Sequence, residues 1–171
     1  MTAIVVSRIV SGGQSGADRA ALDFAISRGV DYSGWCPAGG WAEDFPKPPG
    51  LLSAYPNLVE TLTADPRERT ALNVRDSDAT LIVSPGAKLI ESPGTTYTAN
   101  VARRLRRPLH IADLSASDAV DRALAWLAAR APIHTLNIAG PRESEHPGVY
   151  ALTITLLQKL EVTSTNCTAV P

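Results

Sequence analysis

The chain has 171 residues, 44% of them hydrophobic and 19% charged, which suits one soluble globular domain with a substantial core. Its 16 basic and 17 acidic side chains leave a formal net charge of -1, so no overall field draws it to nucleic acid or an anionic membrane, and any basic site must be local. No run approaches the roughly 18 apolar residues of a membrane span, no signal-peptide pattern opens the chain, and Cys36 and Cys167 lack metal-ligand spacing and read as reduced thiols, so cytoplasmic residence is the expectation.

In chain order, residues 3–10 (Ala-Ile-Val-Val-Ser-Arg-Ile-Val) are nearly continuous in apolarity and predict a strand buried on both faces of a parallel sheet. It empties into Ser11-Gly12-Gly13-Gln14-Ser15-Gly16 and a helix running to about Arg28, ended by Gly29, with Ser15 and Asp18 spaced as a capping box. Strand, glycines and helix in that order predict an anion cradle, because glycine lets backbone N–H groups approach a ligand and a helix start presents further N–H groups. Gln14 could orient such a ligand and Arg19 neutralise its charge, while Asp18 in the first turn is equally explained by the helix dipole.

A short strand at 32–35 follows, then residues 36–64, whose many prolines and glycines predict no regular structure but a functional loop. Trp35 could face a planar ligand ring with Cys36 beside it, although a lone cysteine is more commonly a small buried side chain. Asp65-Pro66 opens a helix reaching about residue 76, and 79–84 is a buried strand. Ser92-Pro93 opens another helix, with Gly94, Thr95 and Thr96 available to hydrogen-bond phosphate or simply to cap. It ends in Arg103, Arg104, Arg106 and Arg107, read as a solvated helix terminus, before a strand at 109–112 and a helix at 118–130. A strand at 135–139 then delivers Asn137, Gly140, Pro141, Arg142, Glu143 and Ser144 to a last helix at 148–160, where Arg142 suits an anion or an ion pair with Glu143 or Glu145.

The alternation predicts an α/β, three-layer Rossmann-like fold: a single domain over 1–161 with a mostly parallel sheet of five or more strands, helices on both faces, and a flexible tail at 162–171. Ligands of such sheets bind beyond the carboxyl ends of the strands, which nominates loops 11–19, 84–96 and 140–148. His110, His134 and His146 share no ligand spacing, and no metal site is predicted.

Val10-Ser-Gly-Gly-Gln-Ser-Gly-Ala-Asp-Arg19, Gly34-Trp-Cys-Pro37 with Ala42-Glu-Asp44, Arg69-Thr70 with Asn73-Val-Arg-Asp-Ser-Asp-Ala-Thr-Leu81, Gly94-Thr95, and Asn137-Ile-Ala-Gly-Pro-Arg-Glu-Ser144 form an ordered set covering most of the chain. In these the sequence resembles the molybdenum carrier family, relatives of molybdenum cofactor carrier proteins within the SLOG superfamily. The resemblance implies a Rossmann-like subunit, commonly a homo-oligomer, that binds molybdenum cofactor (molybdopterin) or a related phosphorylated small molecule and could hand it to molybdoenzymes. Two departures stand out: Ala38, Gly39, Gly40 and Trp41 occupy a segment usually basic in the family, and Ser92-Pro93 replaces glycines before Gly94-Thr95. The related LOG-type phosphoribohydrolases place a glutamate where this chain has Thr98, so the resemblance favours holding a ligand over cleaving one. The competing expectation is a nucleotide-processing enzyme using Asp18, Glu43, Asp44 or Glu143 as acid or base, with the long loop closing over substrate.

Overall fold

The computed structural model describes residues 4–86 and 92–164. The first apolar stretch divides in two, β1 (Val5–Val6) and β2 (Arg8–Val10), because the N–H groups of both Ser7 and Arg8 donate to the carbonyl of His134 and turn the chain between them. Beyond β2 come α1 (Ala17–Arg28), β3 (Asp31–Cys36), β4 (Leu58–Glu60), α2 (Pro66–Arg75), β5 (Ala79–Ser84), α3 (Pro93–Arg104), β6 (Leu109–Asp113), α4 (Ala119–Ala128), β7 (Thr135–Ala139), α5 (Val149–Lys159) and β8 (Thr163–Ser164). Six of these strands form one parallel sheet in the order β4-β3-β2-β7-β5-β6. The Rossmann-like α/β architecture follows.

Side-chain alternation divides the sheet's two faces. Leu81, Val83, Leu136 and Ile138 join α1, α4 and α5 in the main core, whereas Thr80 and Asn137 point the other way and are hydrogen-bonded to each other at 3.2 Å. On that second face α2 and α3 pack together through Val74, Val101 and Ala102. Strand order reverses around β2, since β3 and β4 extend one side of the sheet and β7, β5 and β6 the other; the ends of β2, β7 and β5 therefore lie side by side at the position where such sheets bind ligands.

Three expectations are corrected. The 36–64 segment is not devoid of regular structure: it contains two 3-10 turns, Ala38–Gly40 and Gly50–Ser53, and the edge strand β4, which its prolines conceal. Ser15 does not cap α1; the N-cap is Gly16 at φ 79°, and the hydroxyl of Ser15 is engaged elsewhere. The tail at 162–171 is ordered over its first three residues, because buried Val162 anchors β8, which pairs with β1; residues 165–171 lie outside the described residues. Among the described residues no helix is long and apolar enough to cross a membrane.

Candidate functional site

The glycine loop turns most of its hydrogen bonds inward. The N–H of Gly13 donates to Ser11 Oγ, that of Ser15 to Gln14 Oε1, that of Ala17 to the Pro141 carbonyl, and that of Gln14 to the Asp18 carboxylate. The glycines make room for protein. A Cβ on Gly12 would stand 1.7 Å from Arg69 Nη1, and one on Gly16 would stand 2.6 Å from both the Glu143 nitrogen and the Pro141 oxygen. Gly13, at φ 71°, faces Leu58, Leu51 and Leu22 at 3.1–3.3 Å. The loop is therefore a hub where β2, α2 and the β7–α5 connection meet.

The space beside the hub is a cleft of about 610 Å³, within the range usual for small-molecule sites. All three nominated loops reach it, through Gln14 and Asp18, through Ser92, Pro93 and Gly94, and through Gly140, Arg142 and Glu145. Residues 87–91 of the second loop lie outside the described residues. A fourth element, not anticipated, completes the wall: the start of α2 contributes Asp65, Pro66, Arg67, Arg69 and Thr70, and Tyr97 adds a ring from α3. Two helix N-termini thus open on one cavity. Asp65 caps α2 by accepting from the Arg67 N–H at 2.9 Å. Ser92 caps α3 and donates to Glu145 Oε2 at 2.9 Å, which also accepts from the Arg142 N–H at 3.1 Å and so ties the third loop to α3.

Three arginines and three carboxylates line the cleft, and the carboxylates are occupied. Asp65 caps a helix, Glu145 holds a loop, and Asp18 takes a 2.8 Å bond from Arg69 Nη1 with the two side chains 5% and 15% exposed. Burial raises the pKa of Asp18 above its ordinary value, outweighing the Arg69 guanidinium and the Gln14 N–H that favour the carboxylate. Arg142 forms no ion pair with Glu143 or Glu145; its guanidinium lies over the Trp41 ring, 5.6 Å from the centroid. Gly94 faces open space, with no described atom within 4 Å of a Cβ built on it.

A second groove, about 660 Å³, takes several of the residues expected at the ligand: Ser15, Gly16, Arg19, Glu143 and Ser144, with Asp23, Glu43, Asp44 and Tyr150. Arg19 is engaged there, donating from Nε to the Gly13 carbonyl and from both terminal nitrogens to Asp44 at 2.8 and 2.9 Å. Tyr55 and Tyr150 both donate to Asp23, and burial with that contact pushes the Tyr150 phenol up to about 12. Glu43 accepts from the hydroxyls of Ser15 and Ser144; burial alone would raise its pKa, and these donors lower it below the ordinary value. Stability from a carboxylate lowered in this way is present above its unfolded pKa of about 4.3 and lost as pH falls through the folded value. Glu43→Gln is accordingly expected to cost about 1–2 kcal/mol in urea unfolding at pH 7, and the deficit should shrink at pH 3; equal deficits at both values would contradict the assignment.

The remaining candidates sit apart from the cleft. The Trp35 indole donates to Asp76 at 2.8 Å, and both backbone groups of Trp35 are held by the Asn73 amide. Cys36 is fully buried with Leu22, Leu51 and Tyr55, and burial pushes its thiol up to about 11, which leaves no reactive thiolate. Thr95 is buried against Ser92. Pro141 is buried, its carbonyl taken by Ala17; Thr96 lies in the first turn of α3; Gly12 and Asn137 line a small chamber behind the cleft. Among the described residues no group of His, Cys, Asp and Glu could hold a metal ion.

The residues that sequence reasoning missed, Arg69 above all, were signalled by strand polarity. If the end of α2 lies at the opposite edge from the ligand loops, its beginning must lie among them.

Comparison with known proteins bears on the family and the fold. The model of the Circularly permutated YpsA SLOG family matches residues 9–161. Among solved structures, the chain is 38% identical to a "Putative molybdenum carrier protein" from Syntrophus aciditrophicus SB, with 93% of this chain and 97% of that one covered at a TM-score of 0.80. No curated protein matches the chain. A match over residues 9–161, with a 38% identical neighbour that superposes over 93% of the chain, makes this chain a member of the Circularly permutated YpsA SLOG family.

Proposed function

We propose that the protein holds a phosphorylated anionic small molecule, molybdenum cofactor or a related phosphorylated pterin, in the cleft between the starts of α2 and α3, and carries it without chemical change. The observation that supports this most is the convergence of two helix N-termini with Arg69 and Arg142 on one cavity whose carboxylates are already engaged. Two features fit such a cargo. Arg69 brings a largely buried guanidinium to the wall of the cavity, and the open face of Gly94 lets an oxygen approach the first turn of α3. Arg142 would supply charge at the rim, Tyr97 a ring against a planar group, and Gln14 an amide for orientation. The neighbour's description as a molybdenum carrier protein supports a molybdenum-containing cargo; the phosphorylated pterin form of that cargo, and molybdoenzymes as its recipients, are part of the proposal.

The enzymatic alternative has less support. Glu43, Asp44 and Glu143 line the second groove, Asp18 is bound to Arg69, and the Thr98 hydroxyl donates to the Gly94 carbonyl at 3.0 Å. Incubation with nucleoside monophosphates is expected to release no free base; release at useful rates would refute the carrier reading.

The discriminating variant is Gly94→Trp. Its Cβ meets nothing described within 4 Å and its φ is unstrained, so thermal stability should stay near that of the parent while the indole fills the cleft. Affinity for inorganic phosphate by calorimetric titration is expected to fall at least about tenfold, the loss of one charge-assisted contact. Unchanged affinity would refute the site. A bulky residue at Gly13 would not decide the matter, since its positive φ and leucine neighbours strain the fold directly.

A further inference from the structure

Behind the cleft, on the face of the sheet covered by α2 and α3, lies a separate chamber of about 10 Å³. That volume lies at the lower limit for a single water molecule. The lining is polar: Asp18, Arg69, Thr70, Asn73, Thr98 and Asn137 with Gly12. Arg69 borders both chamber and cleft, and its Nε is the buried side-chain nitrogen that finds no partner among the described residues. A buried guanidinium N–H left without an acceptor loses its hydration with nothing in return, so the position demands an explanation.

We infer that this chamber is a built hydration site, in which one ordered water accepts from Arg69 Nε and donates to oxygens of the surrounding ring, making Thr98 and Asn137 positioning residues for Arg69. The donor and acceptor balance selects water. Hydroxyl oxygens of Thr70 and Thr98, whose own protons are committed to the Pro66 and Gly94 carbonyls, offer lone pairs, as do the amide oxygen of Asn137 and the carboxylate of Asp18. An anion would meet the Asp18 carboxylate, and a cation would meet the Arg69 guanidinium. A water satisfies both sides. Asn137 is itself fixed by donating to Thr80 at 3.2 Å, and Asp18 Oδ2 holds Nη1 at 2.8 Å, so the water would complete a frame that leaves Arg69 a single orientation beside the cleft. Preorganising a long arginine in this way removes ordering cost from ligand binding.

The water itself is independent of the cargo, whereas its effect on affinity rests on the proposed anion site. A crystal structure of the ligand-free protein at about 1.5 Å resolution is expected to show density within hydrogen-bond distance of Arg69 Nε and of at least two of Asp18, Thr70, Thr98 and Asn137. Thr98→Leu, which fills the chamber and leaves Arg69 Nε without an acceptor, should lower the melting temperature and, measured well below it, weaken inorganic phosphate binding about tenfold, and Thr98→Ser, which keeps the hydroxyl and the water, should restore both. An empty chamber, or Nε bonded directly to protein, overturns the hydration site. Full affinity in Thr98→Leu overturns the positioning role. If Gly94→Trp also leaves phosphate binding intact, the cleft reading itself fails, and the two failures are thereby told apart.

Discussion

Arg69→Met is expected to destabilise the protein by about 3–5 kcal/mol and to abolish measurable phosphate binding, because it strips the partner from a buried carboxylate and a cation from the cleft. The two consequences separate in a double variant. Asp18→Asn combined with Arg69→Met removes both charges, so most of the stability should return in urea unfolding while binding stays lost. The pH dependence of the single variant has a definite sign. Burial already holds the Asp18 pKa above its unfolded value, and removing Arg69 deletes the main force opposing that rise. A group raised in this way favours folding most below its unfolded pKa of about 3.9, and its contribution declines as pH rises toward the folded value. The Arg69→Met deficit should therefore be small near pH 3 and large at pH 7. A deficit independent of pH would show that Asp18 is not the buried partner.

Gly16→Ala is the second large effect, expected to cost about 3–4 kcal/mol in thermal or urea unfolding. The methyl group would stand 2.6 Å from the Glu143 nitrogen and the Pro141 oxygen, both main-chain atoms, at a φ of 79° that side chains resist. Nothing flexible is available to yield. The loss should be the same with and without saturating phosphate, since Gly16 lines the second groove and not the cleft. A variant that folds normally would mean that the glycine loop is not the packing hub described above.

These two expectations bear on how much the sequence discloses. Periodicity and punctuation located the principal elements well: Gly29 ends α1, Asp65-Pro66 and Ser92-Pro93 open α2 and α3, and the mainly apolar run at 79–84 is the wholly buried β5. They failed where a strand was short and proline-flanked, as at Leu58–Glu60, or where order depends on one distant partner, as at Thr163–Ser164 against Val5–Val6. The meeting of three loops at one cleft was legible from strand polarity. The division of labour inside those loops was not. Ser-Gly-Gly-Gln-Ser-Gly carries the composition of a phosphate cradle, but only the neighbours reveal that its glycines accommodate Arg69, Pro141, Glu143 and a leucine cluster. Arg19 likewise has the charge expected of a ligand contact and spends it on Asp44, while Arg69, 51 positions from Asp18 in sequence, reaches the cleft through the start of α2. Long-range pairing of this kind leaves no local periodic mark.

The same redistribution sharpens the chemistry. Of the carboxylates that could serve acid–base catalysis, Glu43, Asp44 and Glu143 line the second groove, held by Ser15, Ser144, Arg19 and main-chain N–H groups, while Asp18 lines the cleft, bound to Arg69. Such an arrangement is in keeping with the proposed retention of an anion over its conversion.

The most direct measurement is to isolate the protein and its Gly94→Trp variant from molybdenum-replete cells, denature both, and identify the released small molecules by mass spectrometry and pterin fluorescence. A phosphorylated pterin released by the parent and absent from the equally folded variant is the predicted result. A parent that releases no phosphorylated compound, or a variant that retains as much as the parent, would contradict the account.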